Sequence, residues 1–289
     1  MALIQVNYLS KVLFRTVPVN VILPTDKISF ETLDYQGVPE GGYPTLYLLH
    51  GLLGNYTDWV SGTRIQRWAE DAGLAVVMPS GDNAFYIPGQ AANSDYGAFI
   101  GEELPRVMRA MFPLSRRRED TFIAGLSMGG FGTLRNGMKY AETFSRLAAF
   151  SSGIHFFDPN FESLAGEETV FGDLAEAAKT DKSHYVVFEQ LKARVAAGEV
   201  EAPKFWMSCG TEDSLMPVNI KFRDMLIDAG FDVTWDEEPR GHDWDSGTAR
   251  SRRSSTGCRW ERPTRRLAAA TWQRTSDNHL AFSYVRGLS

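Results

Sequence analysis

The sequence predicts an α/β fold: a mainly parallel central sheet with helices on both faces. Three observations predict it. Strand-like apolar runs alternate with segments of helical spacing, the pattern of successive βαβ units. Two of those runs, residues 46–49 and 74–78, are apolar throughout, as strands buried on both faces are. Glycine-rich turns follow strand-like runs at residues 50–54 and 125–132, and ligands in such folds bind beyond the carboxyl ends of the strands.

The elements follow in order. Residues 19–23 read as an early strand in an antiparallel edge, with Pro18 at its start, where a missing N–H is tolerated. Residues 46–49 are a central strand, 65–72 a helix and 74–78 a buried strand. Residues 96–111 carry apolar side chains at helical spacing, with an irregularity expected at Pro105. The strand Thr121-Phe122-Ile123-Ala124 leads through a turn into a helix that runs to about Tyr140. Strands at 147–150, 204–210 and 231–235 complete the pattern, and 151–202 reads equally as a small helical insertion near the mouth of a site or as a plain connection with helices packed on the sheet.

With 289 residues, 43% of them hydrophobic, the chain is long enough for one large domain, placed here at residues 1–245. No apolar run approaches the roughly 20 residues of a membrane span. The start lacks a basic stretch followed by an apolar segment, so a cytoplasmic location is expected. Cys209 and Cys258 form no disulfide framework, and no closely spaced His/Cys set suggests a metal. The acidic body argues against nucleic-acid binding. Oligomeric state is left open.

The chemistry is carried by Gly125-Leu126-Ser127-Met128-Gly129. Between a strand and a helix, this pattern is a nucleophile elbow: a sharp turn that presents the Ser127 hydroxyl and aims the next N–H, on Met128, at an oxyanion. A second turn, His50-Gly51-Leu52-Leu53-Gly54, follows a buried strand and is expected to supply the other oxyanion N–H, from Leu52. His50 precedes the serine, the wrong chain order for a base, and is read as shaping its loop. A serine hydroxyl is a weak nucleophile, so an imidazole must take its proton and an acid must fix that imidazole. Two histidines come late enough, His242 and His279. His242 follows a late strand and is the expected base. The acid belongs one strand earlier, where Asp213 is chosen over the adjacent Glu212. Trp59, Phe85 and Tyr86 are candidate pocket residues, each equally readable as ordinary packing.

These motifs together resemble the esterase D family of α/β-hydrolases. That family includes S-formylglutathione hydrolases, tributyrin esterases, feruloyl and acetyl esterases, and mycolyltransferases. The likeness is strongest to the tributyrin esterase group. It is carried by residues 15–24, His50 to Asn55, Asp58-Trp59, residues 73–79, 102–105 and 117–122, the elbow, Cys209-Gly210-Thr211-Glu212-Asp213 and Gly241-His242-Asp243-Trp244. The resemblance implies the α/β-hydrolase fold, a Ser127–Asp213–His242 triad, oxyanion N–H groups on Leu52 and Met128, and no metal or organic cofactor. The implied activity is that of a serine carboxylesterase acting on small-molecule esters with short acyl chains through an acyl-enzyme. The alternatives are a thioesterase acting on S-formylglutathione, acyl transfer to a sugar, and a non-catalytic binding module.

Residues 246–289 depart from the family. They hold nine arginines, no lysine and two acids, a charge of +7, which leaves −13 on the rest of a chain of net −6. A basic tail that binds an acidic partner is one reading. A frameshift is the reading preferred here. Back-translated from Asp245 and shifted by one base, permitted codons spell Phe-Trp-Asp-Arg-Glu-Ile-Gln-Lys-Val-Phe-Asp-Trp-Leu-Pro-Leu, an amphipathic string that resembles the family's last helix.

Overall fold

The computed structural model describes residues 1–158, 167–242, 270–274 and 280–284, the last two segments by their backbone. Eight strands form one sheet: β1 (Ala2–Ser10), β2 (Arg15–Leu23), β3 (Thr45–Leu49), β4 (Ala75–Pro79), β5 (Thr121–Leu126), β6 (Arg146–Phe150), β7 (Lys204–Gly210) and β8 (Val233–Glu238). Their order is β1-β2-β4-β3-β5-β6-β7-β8. β1, β2 and β4 are joined antiparallel, and every pairing from β4 onward is parallel. This is the α/β-hydrolase fold, as the sequence predicts.

The apolar strands are explained by two-sided burial. In β3, Tyr47 and Leu49 enter one core, whereas Leu46 and Leu48 enter the other. In β4, Ala75 and Val77 alternate with Val76 and Met78 in the same way. One face is covered by α1 (Asp58–Gly62) and α2 (Ile65–Ala72), which contribute Trp59, Ile65 and Ala69. The other is covered by α3 (Tyr96–Ala98), α4 (Leu104–Met111), α5 (Met128–Lys139), α8 (His184–Ala196) and α9 (Met216–Asp228). Two short helices, α6 (Glu167–Phe171) and α7 (Leu174–Ala177), lie before α8. Among the described residues, no helix is long and apolar enough to cross a membrane.

Three details differ from the sequence reading. The strand at 19–23 begins at Arg15 and is second in the sheet; the edge strand is β1, which sequence reading missed. Pro18 therefore lies inside β2, opposite Asn7. Its carbonyl accepts from Ser80 N, away from β1, so the absent N–H costs the β1–β2 ladder nothing. The irregularity in 96–111 precedes Pro105. Residues Phe99–Glu103 form a π-helical turn, closed by the Leu104 N–H on Phe99 O, which joins α3 to α4. That turn places buried Glu103 where it accepts from Ser10 Oγ and from Lys11 N (2.7 Å), fastening the β1–β2 hairpin to the helix layer.

In the segment 151–202, α8 packs on the sheet's helical layer. Val187, Phe188 and Leu191 are buried, and Phe188 meets Phe222 of α9 at 5.7 Å. Arg135 of α5, fully buried, pairs with Asp181 just before α8 at 2.9 Å. The tail reading at 246–289 falls mostly outside the described residues. Within it, β9 (Ala270–Arg274) and β10 (Leu280–Tyr284) pair antiparallel as a separate two-stranded sheet.

Candidate active site

Ser127, Asp213 and His242 each sit just past the carboxyl end of a parallel strand. Ser127 follows β5 and adopts φ 57°, ψ −114° before α5 begins at Met128. Such an angle is costly for a non-glycine residue and persists only where its surroundings fix it. Here Ser127 N donates to Phe150 O at 2.9 Å, and Ser127 O accepts from Gly153 N (2.9 Å) and Phe131 N (3.0 Å). The elbow's glycines are required by space. A Cβ on Gly125 would lie 2.3 Å from Gly129 O, and one on Gly129 would lie 2.4 Å from Leu49 O.

His242 follows β8 and reaches both partners. Its Nε2 lies 2.9 Å from Ser127 Oγ and its Nδ1 lies 2.8 Å from Asp213 Oδ2. An ionised carboxylate accepts only, so Nδ1 carries the proton and Nε2 is free to accept from the serine hydroxyl. The Asp213 side chain is fully buried, while that of His242 is 38% exposed. Burial pushes the Asp213 carboxyl up. Hydrogen bonds from His242, Leu215 N–H and Ser151 outweigh it and hold the group below the ordinary carboxylate range. The neighbouring Glu212 is exposed, so the pairing with His242 falls to Asp213.

The loop after β3 lies over the nucleophile: a Cβ on Gly51 would be 3.7 Å from Ser127 Cβ. In that loop Leu53 N donates to Asn83 Oδ1 (2.8 Å) and Gly54 N to Gly51 O (3.2 Å). Among the described residues, no acceptor meets the N–H of Leu52 or that of Met128. Met128 is the first residue of α5, where N–H groups lack intrahelical partners and the helix dipole favours negative charge.

His50 is buried in the loop's foundation. Its Nδ1 donates to Gly51 O (2.7 Å) and its Nε2 accepts from Gly81 N (2.8 Å), which places it in a structural role. Burial lowers its pKa, so it stays neutral. Tyr86 is fully buried and its hydroxyl donates to His50 O (3.0 Å). Trp59 is buried in the α2 face of the sheet, donating from Nε1 to Leu49 O (3.0 Å). Phe85 belongs to an aromatic cluster with Phe131, Phe156 and Phe171 at 4.8–6.1 Å. Trp59 and Tyr86 thus combine burial with a hydrogen bond to a backbone carbonyl, and Phe85 packs against aromatic rings.

Sequence reading missed Ser151. It follows β6 with φ 42°, donates its N–H to Ser208 O (2.8 Å), and turns its hydroxyl toward Asp213 and Cys209. No motif marks it; only its place between the ends of β6 and β7 does. Cys209 is buried, which pushes its thiol up to about 12 and leaves it protonated. Among the described residues, no group of three or more His, Cys, Asp or Glu is disposed to hold a metal ion.

The comparisons agree in kind. The esterase family model, described as "Putative esterase", matches residues 10–257. An acetyl esterase of Caldicellulosiruptor saccharolyticus is 37% identical over 254 residues, covering 85% of this chain and 93% of its own. A substrate-bound fluorophosphonate-binding serine hydrolase of Staphylococcus aureus superposes with a TM-score of 0.70 at 30% identity, over 84% of this chain and 92% of its own. An S-formylglutathione hydrolase structure from the same organism matches with the same score, identity and coverage.

Proposed function

We propose, for a chain that belongs to this esterase family and is a serine carboxylic ester hydrolase, that Ser127, His242 and Asp213 act as its catalytic triad on short-chain acyl esters. The continuous chain Ser127 Oγ–His242 Nε2 (2.9 Å) and His242 Nδ1–Asp213 Oδ2 (2.8 Å) is the observation that carries the reading.

His242 takes the Ser127 proton as Oγ attacks the ester carbonyl. Asp213 holds the imidazole in the tautomer that leaves Nε2 open and stabilises the imidazolium that forms. The N–H groups of Leu52 and Met128 receive the oxyanion of the tetrahedral intermediate; one such donor is worth about 3 kcal/mol. His242 then protonates the departing alcohol. Water enters, gives a proton to His242 and attacks the acyl-enzyme; the acid leaves and Ser127 regains its proton.

A short acyl chain is supported by the acetyl esterase relative. The test is a panel of p-nitrophenyl esters from acetate to octanoate, run beside S-formylglutathione. Acetate to butyrate should give the highest kcat/KM, and Ser127→Ala should remove turnover of all of them. Preference for octanoate or for the thioester would overturn the substrate reading while leaving the triad in place.

The boundary near residue 245 belongs to the same proposal. The family match runs to Gly257 and leaves residues 258–289 unmatched. The coding DNA tests this: a one-base shift after the Asp245 codon should restore the amphipathic string, and a gene without it rejects the idea.

A further inference from the structure

The edge strand β1 carries none of the devices that keep sheet edges apart. Single-chain proteins protect such edges with lysine, proline, bulges or short strands. β1 runs nine residues, Ala2–Ser10, contains no charged residue and no proline, and pairs with β2 through an unbroken register without a bulge. Among the described residues, no strand pairs with its outer edge.

The direction of its backbone groups follows from Pro18. Asn7 lies opposite Pro18, whose carbonyl points away from β1 to Ser80 N. In an antiparallel ladder, opposed residues either exchange both hydrogen bonds or none. Asn7 therefore turns its N–H and C=O outward, and so do Leu3, Gln5 and Leu9 at the same parity. The side chains of these four residues are exposed, with Leu3 at 43% and Leu9 at 67%. Gln5 Nε2 also donates to Tyr56 Oη at 3.3 Å.

These four positions are symmetric in chemical class about Val6, leucine-x-amide-x-amide-x-leucine. Laid antiparallel on a second copy about a two-fold axis at Val6, Leu3 faces Leu9 and Gln5 faces Asn7, in both directions. Every outward N–H and C=O of the four then finds a partner, leucine meets leucine, and amide meets amide. A two-fold contact requires this kind of self-complementarity.

We infer that β1 is a homodimer interface, in which two copies of this chain join their sheets edge to edge through residues Leu3, Gln5, Asn7 and Leu9. The test is the mass in solution of the full chain, by sedimentation or light scattering, across a hundredfold range of concentration. The wild type should show twice the chain mass. Gln5→Lys with Asn7→Lys sets lysine against lysine in this register and should halve the mass. Gln5→Glu with Asn7→Lys sets glutamate against lysine and should restore it. Each variant should keep wild-type esterase turnover, which reports folding independently of assembly. A wild type that stays at single mass, a Lys/Lys variant that keeps double mass, or a Glu/Lys variant that stays at half would each overturn the interface. An edge covered by another segment of the same chain, or pairing in a different register, appears as one of these outcomes.

Discussion

At the scale of single residues, the site is a chain of proton positions. Asp213 is buried and ionised, and its Oδ1 accepts from Leu215 N (2.8 Å) while Oδ2 faces His242. Asp213→Asn keeps the shape but offers His242 Nδ1 an amide that can present N–H in place of an acceptor. It is expected to lower kcat by ~10⁴-fold with little change in KM, measured on a p-nitrophenyl ester. Much of this was legible beforehand. The order serine, acid, histidine, with each at a strand end, singled out Ser127 and His242. Glu212 and Asp213 were hard to separate because both follow the same strand, and only the fold buries one and exposes the other. Ser151 was invisible, since its contact with Asp213 depends on how the ends of β6 and β7 lie beside each other.

At the scale of elements, the elbow works because strand and helix approach closely. The near-collisions of a Cβ on Gly129 involve backbone, Leu49 O at 2.4 Å and His50 O at 2.7 Å, which cannot rotate away. Gly129→Ala is expected to cost roughly 1–3 kcal/mol in urea unfolding, the usual scale of overpacking. It should lower kcat as well, because α5 must shift away from the loop that carries Leu52. Elements buried on both faces read clearly as apolar runs, which is why β3, β4 and β5 were placed well. β1 was missed because Gln5 and Asn7 interrupt its apolar run and its outer side chains face solvent. The π turn at Phe99–Glu103 was misplaced onto Pro105, although Pro105 sits in the first turn of α4, where its missing N–H is harmless.

At the scale of the whole molecule, burial sets the response to acid. His184 is fully buried among Phe131, Phe157, Tyr185 and Phe222. Burial pushes its pKa down to about 3, so the folded chain holds it neutral. The unfolded chain binds that proton below about pH 6.5 and the folded chain does not, so stability falls as pH drops from about 6.5 toward 3. The loss approaches roughly 5 kcal/mol at the bottom of that range. His184→Leu should flatten this part of the profile, measured as urea midpoints between pH 7 and 5. Asp213 acts at lower pH: its depressed carboxyl contributes fully above the ordinary carboxylate range, and the contribution is lost as pH falls through the lowered value.

The central claim is that Ser127 is made nucleophilic by an imidazole held within hydrogen-bond reach. Covalent labelling of the folded chain by a fluorophosphonate probe, mapped by peptide mass spectrometry, tests it most directly. The account predicts rapid stoichiometric modification of Ser127, abolished in Ser127→Ala and strongly slowed in His242→Ala. An unlabelled Ser127 in folded protein, or labelling that His242→Ala leaves at full rate, would contradict it.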